Sequence, residues 1–119
     1  MTQSDKKLYH SIREVAEIFD LQESTLRFWE TKFHEISPRK TPNGIRQYTK
    51  EDIEMVRVVY YLLKTRKLTI AGARQRLDEN REMVINHAAI IARLTNVKNK
   101  MLSLMKEVDQ IERVNAEVR

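Results

Sequence analysis

Cysteine is absent from the 119 residues, which excludes disulfides and thiolate-held metal and leaves the redox compartment open. Glycine and proline occur only twice each, too few for a loop-rich architecture, so a mainly α chain with few connections is expected. No apolar run approaches the length of a membrane-spanning helix. The amino-terminal residues lack the charged-then-apolar pattern of a secretory signal, and residence in the cytoplasm, with no membrane partner, is the expectation. Three scattered histidines, no glycine-rich phosphate loop and no clustered acid pair leave nothing to assemble into a catalytic constellation. No enzyme, metal or cofactor is expected.

What the chain does have is charge: 22 Lys and Arg against 17 Asp and Glu, a net +5. An excess of this size is compatible with nucleic acid without showing it. Its distribution says more. Residues 37–48 hold Arg39, Lys40 and Arg46 with no acid, and "KTRK" at 64–67 groups Lys64, Arg66 and Lys67. Elsewhere acids and bases alternate, as on solvated helix faces. The length suits one compact domain with an appendage.

"SIREVAEIF" (11–19) opens with a capping box, Ser11 followed three residues later by Glu14, and then repeats Ile12, Val15, Ala16 and Phe19 at helical spacing. "DL" interrupts, and a second helix is expected from about Gln22 to His34, giving a helix-turn-helix outline. At about 100° per residue, Leu26, Trp29 and Phe33 share one side of this helix, while Ser24, Arg27, Phe28 and Thr31 share the other. Phe28 is then either a second packing contact or part of a DNA-reading surface beside Arg27. The local pattern does not choose between them.

"SPRKTPNGIRQY" (37–48) contains both prolines and an Asn43-Gly44 pair, two residues that tolerate positive φ, so a hairpin is expected. It carries Arg39 and Lys40 on one strand and Arg46 on the other, as a wing gripping phosphates would. The plainer alternative is a solvated hairpin. Thr49 caps a third helix (49–64) with Ile53, Val56, Val59, Tyr60 and Leu63 as its buried stripe. Thr69 caps a fourth, "IAGARQRL", in which Gly72 is expected to permit a close helix contact.

Residues 81–119 lose aromatics, glycine and proline altogether. His87, Ile90, Leu94, Val97, Met101, Leu104, Val108, Ile111, Asn115 and Val118 recur alternately three and four apart, a heptad seam. One helix of this length runs roughly 55 Å and has no breaker at which to fold back. Its seam therefore calls for a second chain, with Ile90, Leu94, Val97, Met101, Leu104, Val108 and Ile111 at the dimer contact; the alternative is a helix lying on its own domain. His87 reads as a tolerated polar position and Asn115 as a register setter. The expected organisation is a winged helix-turn-helix domain over 1–80 and a coiled-coil dimerisation helix over 81–119.

In order, "SIREVAEIFDLQESTLRFWE", "PRKTPNGIRQYTKEDIEMV", "LTIAGARQRL" and the heptad helix resemble the MerR family of bacterial transcription regulators over nearly the whole chain. "TLRFWE" and "GIRQYTKEDI" are the most specific parts. The resemblance implies a second helix in the major groove, with Ser24, Thr25, Arg27 and Phe28 at the DNA. It implies Arg39, Lys40 and Arg46 in a first wing, with Tyr48 closing its base and counted among the DNA-facing residues. Lys64, Arg66 and Lys67 would form a second wing, and Arg13 would be a phosphate contact. It further implies a homodimer through antiparallel long helices on inverted repeats of promoter DNA in the bacterial nucleoid. There it would bend and untwist the duplex for RNA polymerase, a further partner.

The departures are specific. Asp20 stands at a turn position where the family often has glycine, Gln22 replaces the usual Ser-type cap, and Lys67 stands where glycine is frequent. "TKFHEI" differs from the commoner glycine-containing continuation. These 119 residues contain no counterpart of the effector-binding segment of the family's metal and drug sensors, and without cysteine they form no thiolate sensor. Action without a small effector, a sensor borrowed from a partner, and a segment outside this sequence all stay open. Two alternatives keep the fold class and change the function. One is a protein-interaction module resembling chaperone modulators, against which the acid-free hairpin speaks. The other is an excisionase-like architectural factor, against which the heptad helix speaks.

Overall fold

A computed structural model describes residues 8–118. The order of elements is α1 (Ile12–Phe19), α2 (Glu23–Lys32), a hairpin of β1 (Arg39–Lys40) and β2 (Arg46–Gln47), α3 (Lys50–Tyr60), a π-helical turn (Tyr61–Thr65) and α4 (Ile70–Val118). The architecture is therefore mainly α with one two-stranded antiparallel sheet, as expected. Two compact units divide the chain, Met1–Val84 and Ile85–Arg119.

Local chemistry accounts for the helix ends in the first unit. Ser11 and Glu14 close a reciprocal capping box on α1, and Thr49 with Asp52 closes a second on α3; each satisfies two amide donors that the helix itself leaves orphaned. Asp20 ends α1 in the left-handed conformation at φ 53°, with Leu21 N–H returning to the Ala16 carbonyl at 2.9 Å. A short polar side chain can take this conformation, though less cheaply than glycine. The tight turn thus survives without one.

Val15, Ala16 and Phe19 of α1, Leu26 and Trp29 of α2, then Phe33 and Ile36, and Ile53, Val56 and Val59 of α3 form the core. Phe19 meets Tyr60 with ring centroids 5.8 Å apart, and the Arg57 guanidinium lies 5.2 Å above the Phe19 ring. The end of α3 departs from the expected stripe. Tyr61 and Leu62 are buried, whereas Tyr60 and Leu63 are only partly covered. The π turn, closed by Arg66 N–H to Tyr61 carbonyl at 2.8 Å, adds a residue to the repeat and rotates the apolar face.

Two glycines act differently from one another. Gly44 adopts φ 80° and follows a turn in which its N–H meets the Thr41 carbonyl at 2.8 Å. Asn43 has no positive φ, so Pro42 and Asn43 make an ordinary turn and only Gly44 uses left-handed freedom. Gly72, by contrast, faces no neighbouring helix. A Cβ there would meet Thr69 Oγ1 at 3.2 Å, the same hydroxyl that accepts the Gly72 N–H at 3.0 Å. The expected close helix contact is thus corrected: Gly72 makes room for its own N-cap.

Helical geometry in α4 breaks at Asn80, with φ −154° and ψ 68°. Asn80 Oδ1 accepts from Met83 N–H at 3.4 Å, the position and chemistry of an asparagine N-cap restarting the helix. In the second unit the helix continues to Val118. Ile90, Leu94, Val97, Met101, Leu104, Val108 and Ile111 are all exposed along it. No helix among the described residues is long and apolar enough to cross a membrane.

Candidate nucleic-acid interface

The apolar side of α2 fastens it to the scaffold. Leu26 and Phe33 are fully buried and Trp29 nearly so, so the opposite side is fixed outward. Arg27 and Ser24 are exposed there, Thr25 is partly covered, and Phe28 keeps 49% of its surface in water. Phe28 is therefore no core contact. Lys32 Nζ sits 5.6 Å from the Phe28 ring centroid, and Arg27 Nη2 reaches Glu23 Oε1 at 3.3 Å one turn back. Lys32 was not among the expected residues, although its i,i+4 spacing from Phe28 marks the shared face. The start of α2 has no side-chain cap from Gln22, in keeping with the missing Ser-type residue.

The hairpin pairs Arg39 with Gln47 and Lys40 with Arg46. Arg39 and Lys40 are exposed, and Arg39 Nη1 lies 3.4 Å from the Tyr9 hydroxyl. Arg46 is placed differently. Its Nε donates to Glu30 Oε2 at 2.7 Å, with only 22% and 12% of the two side chains exposed. The hairpin is acid-free in sequence but not in space, because α2 supplies the acid. Arg27, Glu30, Thr31, Lys40 and Arg46 together line an open groove between α2 and the hairpin. Three cations against one carboxylate leave it electropositive, suited to a polyanion.

Tyr48 is a correction. It is fully buried and cannot touch DNA. Its backbone forms a two-way bridge with His10, both hydrogen bonds 2.8 Å long. Its hydroxyl finds no hydrogen-bond partner among the described residues, and burial, followed by the nearby Glu30 charge, pushes the phenol above its ordinary range. Tyr48 closes the wing's base as a packing residue.

Lys64, Thr65, Arg66 and Lys67 are exposed, and Lys67 adopts φ 57°, so a lysine bears the left-handed conformation that glycine serves elsewhere. Arg13 is exposed and pairs with Glu17 at 3.5 Å. Neither Arg13 nor the 64–67 cluster lines the groove. Behind α2, Glu35 is held by Arg74 in a bidentate pair at 2.8 and 2.6 Å, and Arg81 adds a third bond at 2.8 Å. Hydrogen bonding from Arg74, working against the cost of burial, lowers the Glu35 carboxyl to about 2. Sequence reasoning missed this cluster, since its members lie 39 and 46 residues apart. Among the described residues no group of His, Asp and Glu is placed to hold a metal ion.

Comparison with known proteins adds three findings. Residues 10–80 match the family model described as MerR HTH family regulatory protein. Regulator protein TubY of Clostridium botulinum C phage is 31% identical over 88 residues, covering 74% of this chain and 37% of that protein. The chain thus spans little more than a third of that relative's length. The crystal structure of HiNmlR, a MerR family regulator lacking the sensor domain, bound to promoter DNA, superposes with a TM-score of 0.50 at 18% identity, over 92% of this chain and 89% of that one.

Proposed function

The chain belongs to the MerR helix-turn-helix family of regulatory proteins, and from that premise we propose that it is a sequence-specific DNA-binding transcription regulator acting as a homodimer. The observation that carries this reading is the outward face of α2. Arg27 and the half-exposed Phe28 are held away from the core by buried Leu26, Trp29 and Phe33, beside a hairpin with Lys40 and Arg46. Arg27 and Phe28 add nothing to the core from that face, while Arg46 ties the hairpin to α2 through Glu30; together they offer a groove-reading helix with a cation-bearing hairpin held beside it.

The division of labour follows from side-chain chemistry. Arg27 presents a fork that fits a guanine edge, and Phe28 presents an apolar ring for a thymine methyl or sugar. Arg39 and Lys40 on the hairpin, and Lys64, Arg66 and Lys67 beyond the π turn, neutralise phosphates, with Arg13 as a further contact. The exposed heptad seam from Ile90 to Ile111 pairs with a second copy, which sets two reading heads on an inverted repeat. That HiNmlR, with the same fold, is bound to promoter DNA supports the same substrate for this chain. Bending and untwisting of a promoter, and action on RNA polymerase in the cytoplasm, extend the reading through the family.

Selection of bound sites from a random DNA pool at about 0.15 M salt, where weak non-specific binding is suppressed, tests it. The expected result is an enriched inverted repeat, with sedimentation equilibrium reporting a dimer that Leu104→Glu dissociates. A folded dimer that enriches no sequence would overturn the reading in favour of a protein-interaction module. A folded monomer would remove the homodimer.

A further inference from the structure

Glu35 lies just beyond the end of α2, and 4% of its side chain is exposed. Its two carboxylate oxygens hold cations on both sides of the break in α4. Arg74, before the break, makes the bidentate pair; Arg81, the first residue after Asn80, donates to Oε2 at 2.8 Å. His34 Nε2 approaches the same oxygen at 3.6 Å. Arg74 is itself oriented by Asp78 at 2.8 Å and by the face of Phe33, whose ring centroid is 5.7 Å from the guanidinium carbon. Phe33 in turn is the fully buried C-cap of α2.

Asn80 itself is exposed, and its side chain meets only Met83 among the described residues, accepting from the N–H at 3.4 Å and donating to Sδ at 3.8 Å. Buried Leu77 and Val84 anchor the segments on either side by non-directional apolar packing. In an unbroken helix, residues seven apart stand about 10.5 Å apart along the axis on nearly one face. A carboxylate that grips both arginines therefore ties the segments across the break into one unit. Charge-assisted and bidentate bonds of this kind are directional as well as strong.

We propose that Glu35 is a positioning residue for the joint at Asn80: by holding Arg74 and Arg81 together it fixes the direction in which residues 81–84 leave the DNA-binding head, and it couples that direction to the end of the reading helix. The inference rests on the homodimeric reading above for its consequence on DNA, since the direction of exit sets which half-site separations a dimer accepts. Glu35 touches no DNA in this scheme. It acts through Arg74 and Arg81, so its loss leaves the base preference of each half-site unchanged.

The test uses the whole chain and two variants, Glu35→Gln and Arg81→Gln. Arg81→Gln keeps the Glu35–Arg74 pair and decides the matter where Glu35→Gln fails to fold. Two readouts are taken: the distribution of half-site separations in DNA selected from a random pool, and hydrogen exchange of the amides of residues 79–84. The expected result is an unchanged half-site sequence with several separations accepted where the parent accepts one. Exchange at 79–84 is expected to rise at least tenfold while the amides of α1, α2 and α3 keep their protection. A parent that selects one separation, with variants that select the same one and exchange alike, overturns the proposal. Equal loss of protection across the whole head also overturns it, since Glu35 would then be a general stabiliser. If the parent selects no inverted repeat, the DNA reading fails by itself. Exchange at 79–84 still decides the joint: a selective rise supports it and no change refutes it.

Discussion

Glu30 Oε2 and Arg46 Nε meet at 2.7 Å, joining the last turn of α2 to the second strand of the hairpin across 16 residues of sequence. Both side chains are mostly withdrawn from water, so each ion is left costly when its partner is removed. Arg46→Ala is expected to destabilise the domain by about 1–3 kcal/mol and to weaken DNA binding through a displaced wing. The double change Glu30→Gln with Arg46→Ala recovers part of the stability. Urea unfolding of the four proteins in a double-mutant cycle measures the coupling; additive effects would show that the pair holds nothing.

Arg27 is exposed on the outer face and, among the described residues, its guanidinium pairs with Glu23 one turn away. Arg27→Ala is expected to relax base preference at one position, costing about 1–3 kcal/mol at the matching base pair and little elsewhere. Competition binding against operators altered one base at a time reads this out. A uniform loss on every sequence would make Arg27 a phosphate contact.

Tyr48→Phe removes a buried hydroxyl that has no partner among the described residues. Burying an unpaired hydroxyl is unfavourable, so the variant is expected to be as stable as the parent or more so, by up to about 1 kcal/mol. DNA affinity is expected to stay the same. A fall in affinity without a fall in stability would return Tyr48 to the interface.

Lys67 holds φ 57°, a conformation costing a side-chain-bearing residue about 1–2 kcal/mol. Lys67→Gly is expected to raise stability by about 0.5–1 kcal/mol after glycine's own entropy cost. It also removes a cation, so the salt dependence of DNA binding becomes shallower by about one unit. Opposite changes in stability and affinity are the signature, read by thermal melts and by titrations at several salt concentrations.

Glu35 carries a carboxyl lowered from 4.5 to about 2. A group lowered on folding contributes stability that is fully present above its unfolded value and is lost as pH falls through its folded one. The window is therefore pH 4.5 down to about 2, and the contribution is at most about 3 kcal/mol. Glu35→Gln should flatten the stability profile in that window. A parallel profile for the variant would assign the acid sensitivity to other carboxylates.

Much of this molecule was settled by short-range sequence. Ser11 with Glu14 and Thr49 with Asp52 cap helices three residues away, and Asp20 and Gly44 turn the chain by their own φ. The spacing of Leu26, Trp29 and Phe33 puts Arg27 and Phe28 on the side of α2 opposite the core, although only the fold leaves Phe28 uncovered there. These features depend on neighbours within one or two helical turns, where periodicity and side-chain chemistry are sufficient. The tertiary structure decided what contacts across long separations decide. It gave the apparently acid-free wing its Glu30, buried Tyr48 beneath that wing, and turned the end of α3 through a π turn. It also gathered Glu35, Arg74 and Arg81 around a break that the heptad pattern does not announce. Charges distant in sequence reveal their pairing only when the backbone brings them within hydrogen-bond reach, because a carboxylate or guanidinium in the chain carries no mark of its partner.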